Sequence, residues 1–183
     1  MKGDGFRSDG SHFYSSLIKD PFKKDAEDED ATFSDTLKRI KNGENKFSFG
    51  DTVSDKALTE VDKLLNYCSL NNIKVVAFLP PFASKTYNAM INSGKHTYVL
   101  KIYSELAPIF SKYKDMELYD YSNIEWYGSS DLETVDGFHG SENSYGKLIM
   151  DIASKSKFLE NYVNITLIKD KIENTKNPYY LFI

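Results

Sequence analysis

The feature that most constrains the fold is a short apolar run, Ile73–Leu79, that stops at Pro80-Pro81. A run of this length, rich in β-branched residues and ended by proline, is typical of a buried strand in a parallel sheet. A helical pattern precedes it, behind the cap candidates Asp51 and Thr52, and ends at Asn71-Asn72. The apolar positions of that helix are Val53, Ala57, Leu58, Val61, Leu64, Leu65 and Cys68. The sequence therefore predicts a helix followed directly by a buried strand.

The same alternation continues toward the C-terminus. A helical face is predicted over 98–113, in which Pro108 should produce a kink or a break. Met116–Tyr121 is the next predicted strand, a helix is expected over 145–153, and Tyr162–Ile168 suggests a further strand. This order predicts an α/β fold, a flavodoxin-like three-layer parallel sheet with right-handed crossovers. Two well-marked strands are few for such a sheet, so we expect it to be incomplete.

The chain divides into three stretches by composition. Residues 1–50 are polar and predicted to be loop-rich, with two amphipathic pieces at Phe13–Ile18 and Phe33–Ile40. Residues 51–170 carry the α/β pattern, and residues 171–183 form a tail. The apolar residues of the tail, which we expect to dock on the body or on a partner, are Tyr179, Tyr180 and Phe182.

Composition narrows the possible partners. Lys plus Arg is 23 and Asp plus Glu is 27, a net charge of −4, so no large basic surface is available to bind nucleic acid. No apolar stretch approaches the length of a membrane span, and no signal-peptide pattern is seen at the N-terminus. Cys68 is the single cysteine and is expected in the core. No metal ligand set is predicted, since His12 and Asp4 have no second histidine nearby, and no cofactor is expected.

The most polar cluster is Asp136-Gly-Phe-His139, which follows the last predicted strand and precedes a helix. An aspartate three residues before a histidine on a turn can accept the Nδ1 proton of the imidazole and leave Nε2 to act as a general base. The blander reading is a surface aspartate and a helix-capping histidine. The position of the motif, at the end of the sheet where ligands bind, favours Asp136 and His139 as a catalytic pair.

The loops after the two strands supply candidate substrate contacts. Pro81 and Phe82 follow the first strand, and Ser122 follows the second. Trp126 offers an aromatic face on which a sugar ring can stack. Packing is the alternative role for Phe82 and for Trp126. We predict that Pro81, Phe82, Ser122 and Trp126 contact substrate.

Together these stretches resemble the C-terminal half of the SGNH/GDSL hydrolase superfamily, in the branch that acylates and deacylates cell-surface polysaccharides. The resemblance covers roughly residues 4–156 and rests on three strand-end or loop segments and an early one. These are Leu79-Pro80-Pro81-Phe82, Tyr119-Asp120-Tyr121-Ser122, Asp136-Gly-Phe-His139 and the segment Asp4–Tyr14.

The resemblance implies an esterase or O-acyltransferase that acts on ester bonds of acylated carbohydrate or of a small ester. It implies Asp136 as the orienting carboxylate and His139 as the base. The nucleophilic serine of the family lies in a Gly-Asp-Ser turn, and neither that turn nor the oxyanion donors are identified here. Gly50-Asp51-Thr52 has threonine in the serine position, but it precedes a helix and is interpreted as a cap. The family also suggests the cell envelope, although the sequence itself leaves the compartment unknown.

Two alternatives to a complete enzyme stay open. The first is that the chain, lacking a recognised nucleophile, is a truncated and inactive product or a non-catalytic α/β binding or interaction module derived from the same fold. The second is that the sheet edge left open by missing strands pairs with another copy of the chain, because unpaired edges invite association.

Overall fold

A computed structural model of the chain describes residues 5–6, 8, 12–13, 30 and 32–182. The described strands are β1 (Gly5–Phe6), β2 (His12–Phe13), β3 (Val75–Leu79) and β4 (Met116–Asp120). The described α-helices are α1 (Ser34–Asn42), α2 (Asp55–Leu70), α3 (Ser84–Asn92), α4 (Ile102–Phe110), α5 (Glu142–Lys155) and α6 (Ile165–Asn174). Short 3₁₀ turns cover Thr97–Leu100, Ile124–Tyr127 and Asp131–Glu133.

The central feature is a parallel pair of strands. β3 and β4 pair in parallel along their whole length. Val75 lies opposite Met116 at one end of the pair, and Leu79 lies opposite Asp120 at the other. α4 contacts β4 and α2. α5 contributes Leu148 and Ile152 to a core against which a residue of β3 and one of β4 pack. This arrangement confirms the α/β class, and β1 and β2 form a separate short antiparallel pair.

β3 is less buried than the sequence predicted. Phe78 is 37% exposed and Ile73, just before the strand, is 47% exposed. In the part of the chain that the structure describes, β3 has a strand partner on one edge only. The expectation of full burial was therefore wrong, because the side chains of a parallel strand are buried completely only when both faces of its sheet are covered.

α2 is confirmed, but its N-terminal cap differs from the prediction. Ser54 caps the helix, and its side chain accepts a hydrogen bond from the Ala57 backbone N–H at 3.3 Å. Asp51 and Thr52 lie one turn too early for this role. Cys68 is buried, as expected. The helix ends at Asn71, as the sequence indicated.

The helix predicted over 98–113 is interrupted before Pro108. Residues 97–100 form a 3₁₀ turn, and α4 starts at Ile102. Pro108 lies inside α4, which ends two residues later at Phe110. The break in the predicted helix therefore lies at Lys101, before Pro108, and the helix continues for two residues past the proline. Pro108 has no N–H to donate to the carbonyl four residues earlier, and the helix ends within one turn after it.

The predicted strand Tyr162–Ile168 is a helix start instead. The Asn164 side chain accepts a hydrogen bond from the Leu167 backbone N–H at 3.0 Å and caps α6. The apolar residues that suggested a strand lie on a helix that packs against α5. The amphipathic piece at Phe33–Ile40 is confirmed as α1. The piece at Phe13–Ile18 lies outside the described residues except for Phe13.

The tail docks on the body, as the sequence suggested. Tyr179 and Tyr180 are buried, whereas Phe182 is half-exposed. The Glu142 carboxylate accepts hydrogen bonds from the backbone N–H groups of Leu181 and Phe182 at 3.0 and 3.3 Å. These contacts hold the tail across the start of α5.

α3 was not predicted, and its N-terminus depends on a distant carboxylate. The residue at its N-cap is Ala83, which has no side-chain acceptor. Asp131 replaces it, with Oδ1 accepting from the Ser84 N–H at 2.5 Å and Oδ2 from the Lys85 N–H at 3.2 Å. A carboxylate at this end also interacts favourably with the helix dipole. Asp131 thus ties the loop after β4 to the helix after β3.

We expect Asp131→Ala to lower the free energy of unfolding by about 0.5–2 kcal/mol, the usual cost of losing a helix cap. Urea denaturation followed by circular dichroism measures the change. Asp51→Ala is the control, since Asp51 is exposed and does not cap α2, and it should stay within about 0.5 kcal/mol of wild type. Equal stability of Asp131→Ala and wild type would contradict the role given to Asp131.

Candidate functional site

The site is built where the loops after β3 and β4 meet. The Phe82 backbone N–H donates to the Ser122 carbonyl at 3.0 Å, and the Ile124 N–H donates to the Phe82 carbonyl at 3.1 Å. These bonds continue the parallel pairing of the strands past their ends. The two loops that the sequence singled out therefore lie side by side, at the edge of the sheet where ligands bind in open α/β folds.

The segment that carries Asp136 and His139 joins the same edge. The Ala83 backbone N–H donates to the Gly137 carbonyl at 3.1 Å. The Val135 N–H donates to the His139 carbonyl at 2.8 Å, which closes the segment into a tight turn. Three parts of the chain that are distant in sequence thus meet at the carboxyl ends of β3 and β4.

Asp136 holds both the turn and the imidazole. Its Oδ1 accepts hydrogen bonds from the backbone N–H groups of Phe138 and His139 at 2.8 and 2.7 Å. Its Oδ2 lies 2.7 Å from His139 Nδ1. The Asp136 side chain is 10% exposed, and that of His139 is 60% exposed. A neutral His139 paired in this way carries its proton on Nδ1, and Nε2 is then the basic nitrogen.

Two aromatic residues interact with the pair: the Phe138 ring contacts His139, and Tyr145 is affected by the charge of Asp136. The Phe138 ring centroid lies 4.5 Å from that of His139. Burial, and to a lesser extent the negative charge of Asp136, raises the pKa of Tyr145. The Tyr145 hydroxyl therefore stays protonated near neutral pH.

Gly137 sits where no side chain fits. A Cβ built on it would lie 2.6 Å from Thr86 Oγ1 and 2.9 Å from Thr36 Cγ2. Both threonines are fully buried, on α3 and α1. The close approach presses the Asp136–His139 turn against these two helices.

The four residues predicted to contact substrate differ in their exposure to solvent. Pro81 is buried and Phe82 is half-buried. Ser122 is buried, and its hydroxyl donates to Asp120 Oδ1 at 2.6 Å. Trp126 is 51% exposed and packs edge-on against Tyr87, at 5.4 Å between ring centroids. Backbone pairing brings Phe82 next to Ser122, and their roles as substrate contacts stay predictions.

Glu133 anchors the loop after β4 through a network that the sequence did not suggest. Its carboxylate is buried and accepts hydrogen bonds from the Ser129 hydroxyl and the Asn143 amide, each at 2.5 Å. Lys147 Nζ lies 2.8 Å from both carboxylate oxygens. Ser129, one of the hydroxyls near the motif in sequence, is thus committed to Glu133.

A second feature missed by the sequence is an apolar cavity of about 180 Å³ beside the pair. The residues that line it are Lys46, Phe47, Phe82, Met90, Tyr98 and Phe138. They come from five separate parts of the chain, so no local pattern identifies the cavity. Phe138 is shared by the cavity wall and the contact with His139.

Comparison with known proteins adds no assignment: no family model, no curated protein and no solved structure matches the chain. Among the described residues, no three or more His, Cys, Asp or Glu side chains are grouped so that they could hold a metal ion. In the same residues, no helix combines the length and the apolar character needed to cross a membrane.

We expect Gly137→Ala to lower the free energy of unfolding by about 1–3 kcal/mol, because the new methyl group overpacks against Thr36 and Thr86. Urea denaturation measures the loss. Gly50→Ala is the matched control, since its Cβ would meet Tyr98 at an ordinary contact distance of 3.6 Å. Equal effects at the two glycines would contradict the close approach.

We expect Asp136→Asn to invert the tautomer of His139. The amide oxygen can still accept the hydrogen bonds from the two backbone N–H groups. The amide N–H₂ then donates to Nδ1, so the ring proton moves to Nε2. Nitrogen-15 NMR of the neutral imidazole reads the tautomer directly. His96 is an internal reference, because its Nε2 donates to the Phe47 carbonyl at 2.9 Å and should not change. An unchanged His139 tautomer would contradict the pairing.

Proposed function

We propose that this chain carries the general-base part of an SGNH-like esterase or O-acyltransferase site that acts on acyl esters of carbohydrate. The observation that carries the proposal is the contact between His139 Nδ1 and a nearly buried Asp136 carboxylate. Hydrogen bonds from two backbone N–H groups hold that carboxylate in place. An aspartate so placed fixes the tautomer of the imidazole and stabilises the imidazolium that forms during catalysis.

In this proposal His139 removes a proton from a hydroxyl nucleophile as it attacks the ester carbonyl. His139 then returns the proton to the leaving alcohol, and donors placed around the carbonyl oxygen stabilise the oxyanion. The nucleophile stays unassigned. In the esterase reaction water takes up the acyl group, and in the transferase reaction a sugar hydroxyl does.

The position of the pair supports a binding role for the same edge. The turn 136–139 is hydrogen-bonded to the loop after β3, from the Ala83 N–H to the Gly137 carbonyl. Half-exposed Trp126 lies in the loop after β4. An aromatic ring presented in this way suits the apolar face of a sugar.

A non-catalytic binding module is the second candidate, and a specific observation favours it. The Ser129 hydroxyl donates to buried Glu133, and the Ser122 hydroxyl donates to Asp120. Neither serine is therefore placed as an activated nucleophile. A module of this kind would keep the fold and hold a glycan or a protein without turnover.

Self-association through the sheet edge stays a proposal as well. The edge of β3 opposite β4 has no strand beside it in the described residues, and Phe78 is partly exposed there. An added strand would pair with the backbone groups of that edge.

We expect hydrolysis of p-nitrophenyl acetate to depend on His139. His139→Ala should lower kcat/KM by about 10²–10⁴-fold, the usual contribution of a general base. His139→Gln keeps a polar side chain of similar length and should show the same loss. Hydrolysis unaffected by both substitutions would contradict the catalytic role of His139.

Labelling with a fluorophosphonate separates the two candidates. An esterase with its own serine nucleophile reacts covalently, and peptide mapping then identifies the serine. A binding module does not react at high protein concentration. Loss of labelling in His139→Ala would connect the labelled serine to the base.

A further inference from the structure

We propose that the apolar cavity beside His139 binds a short acyl chain of about six carbon atoms. The choice of an acyl chain rests on the proposed function of the Asp136–His139 pair, whereas binding of a small apolar group rests on the cavity alone. The cavity shares Phe138 with the turn that carries His139, whereas Asp136 and His139 themselves are not among the described residues that line it.

Five of the six described lining residues are apolar or aromatic, and two of them are buried in the core. Phe47 and Met90 are at most 4% exposed, and both belong to the same buried cluster as Tyr87 and Val99. Phe82 packs against this cluster from the loop after β3. A rigid apolar wall loses little conformational freedom on binding, which favours a small apolar ligand.

The volume limits the size of the occupant. The cavity measures about 180 Å³. A dry protein cavity of about 150 Å³ is large enough for benzene, so about six carbon atoms fit in the space beside Met90. Longer chains would have to extend into solvent.

The position of Phe138 links the cavity to the base. Its ring packs edge-on against Phe47, with 6.1 Å between ring centroids, and lies 4.5 Å from the His139 ring. Only the Phe138 ring therefore separates a chain in the cavity from the His139 imidazole. This places the carbonyl end of an acyl group toward His139 and its hydrocarbon end against Met90.

Lys46 supplies charge complementarity at the cavity. Among the described residues that line the cavity it is the one that carries a charge, and it is exposed to solvent. An ammonium group there attracts the carboxylate that ester hydrolysis releases, or the carbonyl oxygen of an acyl group. An apolar body with an oxygen-bearing end is the chemistry that this lining fits.

Sodium hexanoate is the probe, and methyl-labelled methionine is the reporter. The sequence has four methionines, so the Met90 methyl resonance can be assigned with Met90→Leu. We expect hexanoate to shift the Met90 resonance with half-saturation in the millimolar range, and to leave those of Met116 and Met150 in place. No shift of Met90 at any soluble concentration would overturn the proposal.

Two variants locate the site. Phe82→Trp fills the cavity and should weaken hexanoate binding at least about tenfold. The control Phe182→Trp makes the same change on a half-exposed ring in the tail and should leave binding unchanged. The resonances of Met116 and Met150 report whether each variant is folded. Wild-type affinity in a folded Phe82→Trp variant would overturn the proposal.

The charge of the ligand is tested separately. Lys46→Gln should weaken hexanoate binding about two- to fivefold, as expected for an exposed ion pair, while Lys41→Gln on α1 should not. No difference between the two lysine variants would overturn the acyl assignment.

The hexanoate titration tests the cavity assignment, and the ester-hydrolysis kinetics test the proposed function, so either proposal can be refuted without the other. If hexanoate binds at Met90 but ester hydrolysis is unaffected by substitution of His139, the proposed function is refuted and an apolar binding site is left. Hydrolysis that depends on His139, without a response at Met90, would refute the cavity assignment alone.

Discussion

The structure depends on the way the β3–β4 pairing continues beyond the strands. Hydrogen bonds between Phe82 and Ser122, and between Ile124 and Phe82, keep the two following loops aligned where regular strands have ended. The Ala83 N–H then has the Gly137 carbonyl as its partner. Because each loop uses backbone groups of another, their positions are set together. The Asp136–His139 turn is located by this pairing and not by its own short sequence.

Three carboxylates, two of them buried, organise the loop between β4 and α5. Asp131 caps α3, Glu133 binds side chains of α5 and its own loop, and Asp136 holds the turn at His139. A carboxylate removed from water is costly unless donors surround it, and each of these three has at least two. Since each takes its donors from a different element, their combined effect is to fix a long loop that has little regular structure.

Periodicity in the sequence was sufficient for the elements whose signals are local. α2, β3, β4 and α5 were predicted from apolar spacing, and the contact of Asp136 with His139 follows from their separation by three residues. α3 was missed because its cap, Asp131, comes from a distant loop. The apolar positions at the start of α6 suggested a strand, since a short apolar run does not distinguish the two structures.

The cavity was beyond sequence reasoning for a related reason. Phe47, Met90 and Phe138 meet only because α1, α3 and the turn at Gly137 pack together. The same turn sends Phe138 toward the core and leaves His139 largely exposed. Adjacent residues thus supply an apolar wall and the imidazole paired with Asp136, and the close packing at Gly137 sets the position of both. A shift of this turn would move the His139 imidazole and the cavity wall together.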